Sequence, residues 1–116
     1  MRILREEFAY IMNLISICEK CKIQPLSLKG IGFNEFAFTY EQIKKIIELL
    51  RIKKISILGG DVYIQKGGEI IITSDSWYIK KDKIADYEYS YKKTIDYIEI
   101  FESKEEDYIY SIVLKE

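Results

Sequence analysis

The chain has 116 residues, enough for one domain with a sizeable core, and its 48% hydrophobic and 32% charged content excludes a disordered protein. Eighteen basic against nineteen acidic side chains leave a net charge of −1, which gives no pull toward polyanions and argues against nucleic acid as the main ligand. Histidine is absent, so the usual general base near neutral pH is missing.

In chain order, Met1 to Lys22 carries Arg5, Glu6, Glu7, Asn13 and Glu19 among its apolar residues, too much charge for a signal segment or membrane span. A cytoplasmic location without a membrane partner is the expectation. Residues Ile3 to Lys22 read as a helix, with Leu4, Phe8, Ile11, Met12, Ile15 and Cys18 at helical spacing and Leu14, Ile17 and Cys21 widening the stripe. Cys18 and Cys21 form a Cys-x-x-Cys pair near the end of that helix. There the dipole disfavours a thiolate, and neither a second pair nor a histidine completes a metal site. Two reduced thiols are expected, with no metal and no cofactor. Pro25, the only proline, is read as ending the helix. Phe33 to Phe38 is apolar enough for a short strand or a buried lead-in.

Thr39 opens the second helix with complete signals. Gln42 stands three residues later for a capping box, Phe38 and Ile43 suit a hydrophobic staple, and Ile43, Ile46, Ile47 and Leu50 form the inner stripe. Glu41 and Lys45 have the spacing of a helical ion pair, worth about 0.3 kcal/mol. Three β-branched runs follow, Ile55 to Leu58, Val62 to Gln65 and Glu69 to Thr73, separated by Gly59-Gly60-Asp61 and Gly67-Gly68. They read as three antiparallel strands joined by tight turns. Asp75 and Ser76 then precede Trp77, the only tryptophan, and Tyr78. Ile84 to about Ser103 is the third helix, with Ile84, Tyr87, Tyr91, Ile95 and Ile98 inward and Tyr89, Lys93, Asp96, Tyr97 and Ile100 outward. Tyr108 to Leu114 is apolar on both faces, which places it inside the sheet rather than at an edge. The fold class is therefore α+β: an antiparallel sheet of four strands, Phe33 to Phe38 being a candidate fifth, with three helices mainly on one face.

Two features bear on function. Asp61 and Asp75 are the natural carboxylate pair for a small-ligand-binding or carboxylate-dependent enzyme, although both also read as turn residues. The aromatic content is the stronger signal. Ten tyrosines, five phenylalanines and one tryptophan suit a protein-binding surface, where such side chains bury large areas at low entropic cost. A homo-oligomeric module built on the last helix is the third class.

Several stretches together resemble a known family. Gly32 to Ala37 (GFNEFA), the helix from Thr39 to Leu50, Leu58 to Tyr63 (LGGDVY) and Trp77 ahead of a tyrosine-bearing helix are similar to immunity protein 40 of bacterial polymorphic toxin systems. The resemblance spans roughly Gly30 to Phe101, and LGGDVY is its most specific piece. It implies a non-enzymatic α+β domain encoded beside a cognate toxin protein, which it binds and neutralises. It implies no particular toxin-contact residue. From the residues themselves, the surface around Asp61, Asp75, Trp77 and Tyr78 is the expected docking region, with Trp77 as anchor. If Trp77 is instead core, the expectation moves to Tyr89, Lys93 and Tyr97.

Overall fold

The computed structural model describes residues 14–33 and 35–115, so the expected helical positions Leu4, Phe8, Ile11 and Met12 lie outside it. Residues 14–21 form helix α1, whose inner face is Leu14, Ile17 and Cys18 while Ile15 is exposed. The helix ends before Pro25: Lys22 takes a left-handed conformation (φ 57°) and the N–H of Ile23 returns to the carbonyl of Cys18 at 2.9 Å. Both thiols are free, and burial raises the Cys18 pKa, assisted by Cys21.

Strand β1 (Leu26–Ser27) pairs antiparallel with β2 (Phe36–Ala37), the piece expected as a fifth strand. Helix α2 (Tyr40–Ile52) starts on the full capping box: Thr39 Oγ1 accepts from the Gln42 N–H at 3.3 Å, and Gln42 Oε1 accepts from the Thr39 N–H at 3.0 Å. Its stripe Ile43, Ile46, Ile47 and Leu50 is buried together with Phe38. Glu41 and Lys45 do not pair. Instead Arg51 bonds Glu48 on its own helix and reaches Glu88 at 3.4 Å.

Strand β3 (Ile57–Lys66) overturns the expected division. It runs ten residues without a break, and Gly59, Gly60 and Asp61 lie within it rather than at a turn. The glycines serve close packing. A Cβ on Gly60 would stand 2.1 Å from the Ser111 carbonyl oxygen and 2.4 Å from the Trp77 ring, and one on Gly59 2.3 Å from the Trp77 carbonyl oxygen. The true hairpin is Gly67-Gly68, which leads into β4 (Glu69–Tyr78). Asp61 faces Ser76 and Tyr63 faces Ile72, so Val62 alone opposes Thr73, Ser74 and Asp75 in a bulge. Thr73 Oγ1 pins that bulge, donating to the Val62 carbonyl at 2.6 Å and accepting from the Asp75 N–H at 3.1 Å. Asp75 therefore sits in a strand bulge, not in an Asx turn.

Helix α3 (Tyr87–Glu102) is capped by Asp86, whose carboxylate accepts from the Tyr89 N–H at 3.0 Å. It is rotated from the expected orientation. Its buried residues are Ser90, Thr94, Ile98 and Phe101. Two hydroxyls go inward because they have partners: Ser90 Oγ accepts from the Ile57 N–H at 3.2 Å, and Thr94 Oγ1 accepts from the Trp77 indole N–H at 3.1 Å. The rotation carries Tyr97 from the outer face to the sheet side, 5.2 Å from Trp77 and 5.3 Å from Phe101 between ring centres.

Strand β5 (Tyr108–Leu114) pairs with β3, giving the order β4-β3-β5, so it is an end strand and not an interior one. Its free edge is partly met by Phe38, which exchanges two 2.8 Å backbone hydrogen bonds with Tyr110. Its helical face is covered throughout, and its other face is covered at Ile109 and Ser111 but leaves Val113 37% exposed. Helices α1, α2 and α3 pack on Val62, Trp77, Tyr110, Ile112 and Leu114, while Leu28 and Ala37 pack on Tyr63 and Ile109 from the opposite side. The architecture is α+β with five strands in two antiparallel sheets.

Candidate functional site

The two faces of the main sheet are treated differently. On the helical face the indole of Trp77 lies over Gly60 and is locked by Thr94, leaving Trp77 only 5% exposed. Trp77 is thus a core residue in the free protein, the alternative set beside its docking role.

On the other face the segment 26–38 covers only part of the sheet. Leu28 and Ala37 shield Tyr63 and Ile109, and Phe33 tilts against Tyr63 at 6.2 Å between ring centres. At the rim of that cover stands a polar group that strands β3 and β5 bring together. Asp61 and Ser111 are cross-strand partners, and Ser111 Oγ accepts from the Asp61 N–H at 3.3 Å. Glu35, just before β2, reaches the same place. Its carboxyl pKa is raised by burial and by the charge of Asp61, and a hydrogen bond with Ser111 partly offsets this. Tyr63 is pushed up to about 12, first by burial and then by Glu35 and Asp61. Among the described residues no cation forms an ion pair with either carboxylate. Next to this group the sheet is open: Tyr78 opposite Gly59 is 76% exposed and Ile72 opposite Tyr63 is 58% exposed.

Asp61 and Asp75 are not brought together. Asp61 acts on Glu35 and Tyr63, whereas Tyr97 on the helical side has its pKa raised first by burial and then by Asp75. Of the other expected surface residues, Tyr89 is half-buried with Lys83 Nζ 5.7 Å from its ring centre, Lys93 is exposed, and Tyr97 is half-buried against Trp77. Sequence reasoning misses Glu35 and Ser111. Their signals are a lone carboxylate inside the apolar run Phe33 to Phe38 and a lone serine inside Tyr108 to Leu114.

A sequence model of the family described as Immunity protein 40 matches residues 27–114, from β1 to the end of β5. The chain belongs to the Immunity protein 40 family. Compared with curated proteins and with solved structures, it has no match. Within the family region fall Glu35, Asp61, Tyr63 and Ser111, both glycines under Trp77, and every surface residue named above. The stretch Leu58 to Tyr63 that carries the family resemblance thus has a physical account here. Its glycines admit Trp77 and the β5 backbone, and its aspartate stands half-buried beside Ser111. Among the described residues no group of histidine, cysteine, aspartate and glutamate could hold a metal ion, and no helix is long and apolar enough to cross a membrane.

Proposed function

We propose that this chain is an immunity protein that binds a cognate bacterial toxin in the cytoplasm and neutralises it by occupying its surface, without catalysis of its own. The observation that carries this reading is membership of the Immunity protein 40 family across residues 27–114. The rest of the molecule is consistent with it. The two carboxylates best suited from sequence to act as an acid–base pair are not cross-strand partners, since Asp61 pairs with Ser76 and Asp75 lies in the bulge, and they act on different groups. Rigid strands present exposed tyrosine and isoleucine, which a partner can cover without ordering a flexible segment. The test is titration of the purified toxin encoded beside this chain, with the toxin's own activity as the readout. Inhibition complete at a fixed stoichiometric ratio supports the reading. An unaffected toxin, with this chain folded and in excess, would refute it.

A further inference from the structure

We propose that the toxin docks on the uncovered face of the main sheet, seating an arginine or lysine between Asp61 and Glu35 and covering Tyr78, Ile72 and Val113. This rests on the immunity reading above and specifies the surface it uses.

Three observations converge on that face. The first is apolar exposure in one place. Tyr78, Ile72, Val113 and Phe33 are 76%, 58%, 37% and 38% exposed; Tyr78 and Val113 flank Gly59 from β4 and β5, while Ile72 and Phe33 both neighbour Tyr63 on the same face. Exposed apolar surface gathered in a patch with a polar centre is the form that protein docking sites take. The second is charge. Glu35 and Asp61 are both half-buried beside Ser111, burial and the charge of Asp61 oppose the ionisation of Glu35, and no cation is paired to either carboxylate among the described residues. A cationic side chain between them supplies what the fold lacks, and a guanidinium can meet the carboxylates in a fork of hydrogen bonds. The third is rigidity. The face is built from paired strands, so little ordering opposes association.

The charge also selects the kind of partner. A second copy docking through the same face would bring Asp61 and Glu35 against themselves across a twofold axis, an arrangement of four carboxylates without a counter-charge. A partner with a basic patch rimmed by apolar side chains fits instead. The helical side offers no equal, because its large aromatics, Trp77 and Phe101, are buried and its exposed isoleucines are scattered, Ile15, Ile52 and Ile100 on three different helices and Ile71 on β4.

The experiment is toxin binding measured by calorimetry or biolayer interferometry with six forms of the full chain: wild type, Tyr78→Ala, Asp61→Asn, Ile52→Ala, Tyr89→Ala and Lys93→Glu. Tyr78 touches little of its own protein, so Tyr78→Ala keeps the fold and is expected to weaken binding at least about tenfold. Asp61→Asn is expected to weaken it by a similar factor of about ten and to flatten its dependence on salt. Ile52→Ala, 65% exposed but on α2, is expected to stay within about twofold of wild type. If wild type binds and both Tyr78→Ala and Asp61→Asn bind equally well, the docking surface is elsewhere. The immunity reading then stands without this proposal. The surface is likewise elsewhere if Tyr89→Ala and Lys93→Glu on α3 weaken binding more than the sheet-face variants do. If wild type itself does not bind, both the functional reading and this surface fall.

Discussion

Replacing Gly60 with alanine adds one methyl group at the point where three elements meet. The new Cβ would lie 2.1 Å from the Ser111 carbonyl oxygen, 2.4 Å from Trp77 Cη2 and 2.7 Å from Trp77 Cζ2. The first contact is with β5 backbone, which cannot swing aside without loosening the β3–β5 ladder. The second is with a buried ring whose N–H is held by Thr94 at 3.1 Å. Overpacking of this kind costs about 1–3 kcal/mol, and displacing the indole from Thr94 strands a buried donor at about 1–3 kcal/mol more. The expected loss is therefore about 3–4 kcal/mol, a large share of the roughly 5–15 kcal/mol that holds a domain of this size together. Urea denaturation followed by Trp77 fluorescence and circular dichroism measures it, with an expected fall in midpoint of about 2 M and little change in slope. Gly30→Ala is the matched control, since a Cβ there meets nothing within 4 Å. A loss below about 1 kcal/mol for Gly60→Ala would refute the close approach of Trp77 and β5 over Gly60.

Trp77→Ala should destabilise by about 3–5 kcal/mol in the same assay, because it empties a core site beneath α3; a fully stable variant would contradict its burial. Thr94→Val should cost about 1–2 kcal/mol by leaving the indole N–H unpaired, and a combined Trp77→Phe, Thr94→Val variant should cost less than the separate losses added. Glu35→Gln is expected to raise the melting temperature at pH 7. The folded state holds the Glu35 proton more tightly than the unfolded chain does, so the wild type loses stability as pH rises from the ordinary carboxyl value of 4.5 through the raised folded one. The groups facing Glu35 are Asp61 and Tyr63 from β3 and the Ser111 hydroxyl from β5. The advantage of the variant should vanish below about pH 4, and thermal melts across pH 4 to 8 that show no such trend would exclude this environment for Glu35.

The legible parts of the sequence are those where local chemistry and tertiary packing agree. Thr39 and Gln42 cap α2 by contacts three residues apart, so nothing distant can alter them. Gly67-Gly68 makes the hairpin for the same local reason. Gly59-Gly60 carries an identical local signal with a different cause, the approach of Trp77 and β5, which only the folded chain supplies. That is why the single strand β3 reads as two in the sequence. The orientation of helix α3 is misread because its inward hydroxyls, Ser90 and Thr94, count as polar in a hydrophobic pattern until their partners Ile57 and Trp77 are known. The same pattern puts Tyr97 on the outside. Strand β5 reads as interior because two apolar faces do not reveal whether both edges are paired. At the candidate site, Asp61 and Tyr78 are evident as a carboxylate and an aromatic among strands. Glu35 comes under the influence of the Asp61 charge only because the residues around β2 pack across the sheet, a proximity between residues far apart in the chain.

The central claim, that this chain neutralises a toxin by binding it, is tested most directly in living cells. The proposed partner toxin is expressed from one promoter and this chain from another, and surviving colonies are counted with and without the second inducer. The account predicts that induction of the wild-type chain restores colony numbers to those of cells without toxin. Continued killing, with folded chain present in the cytoplasm in excess of the toxin, would contradict it.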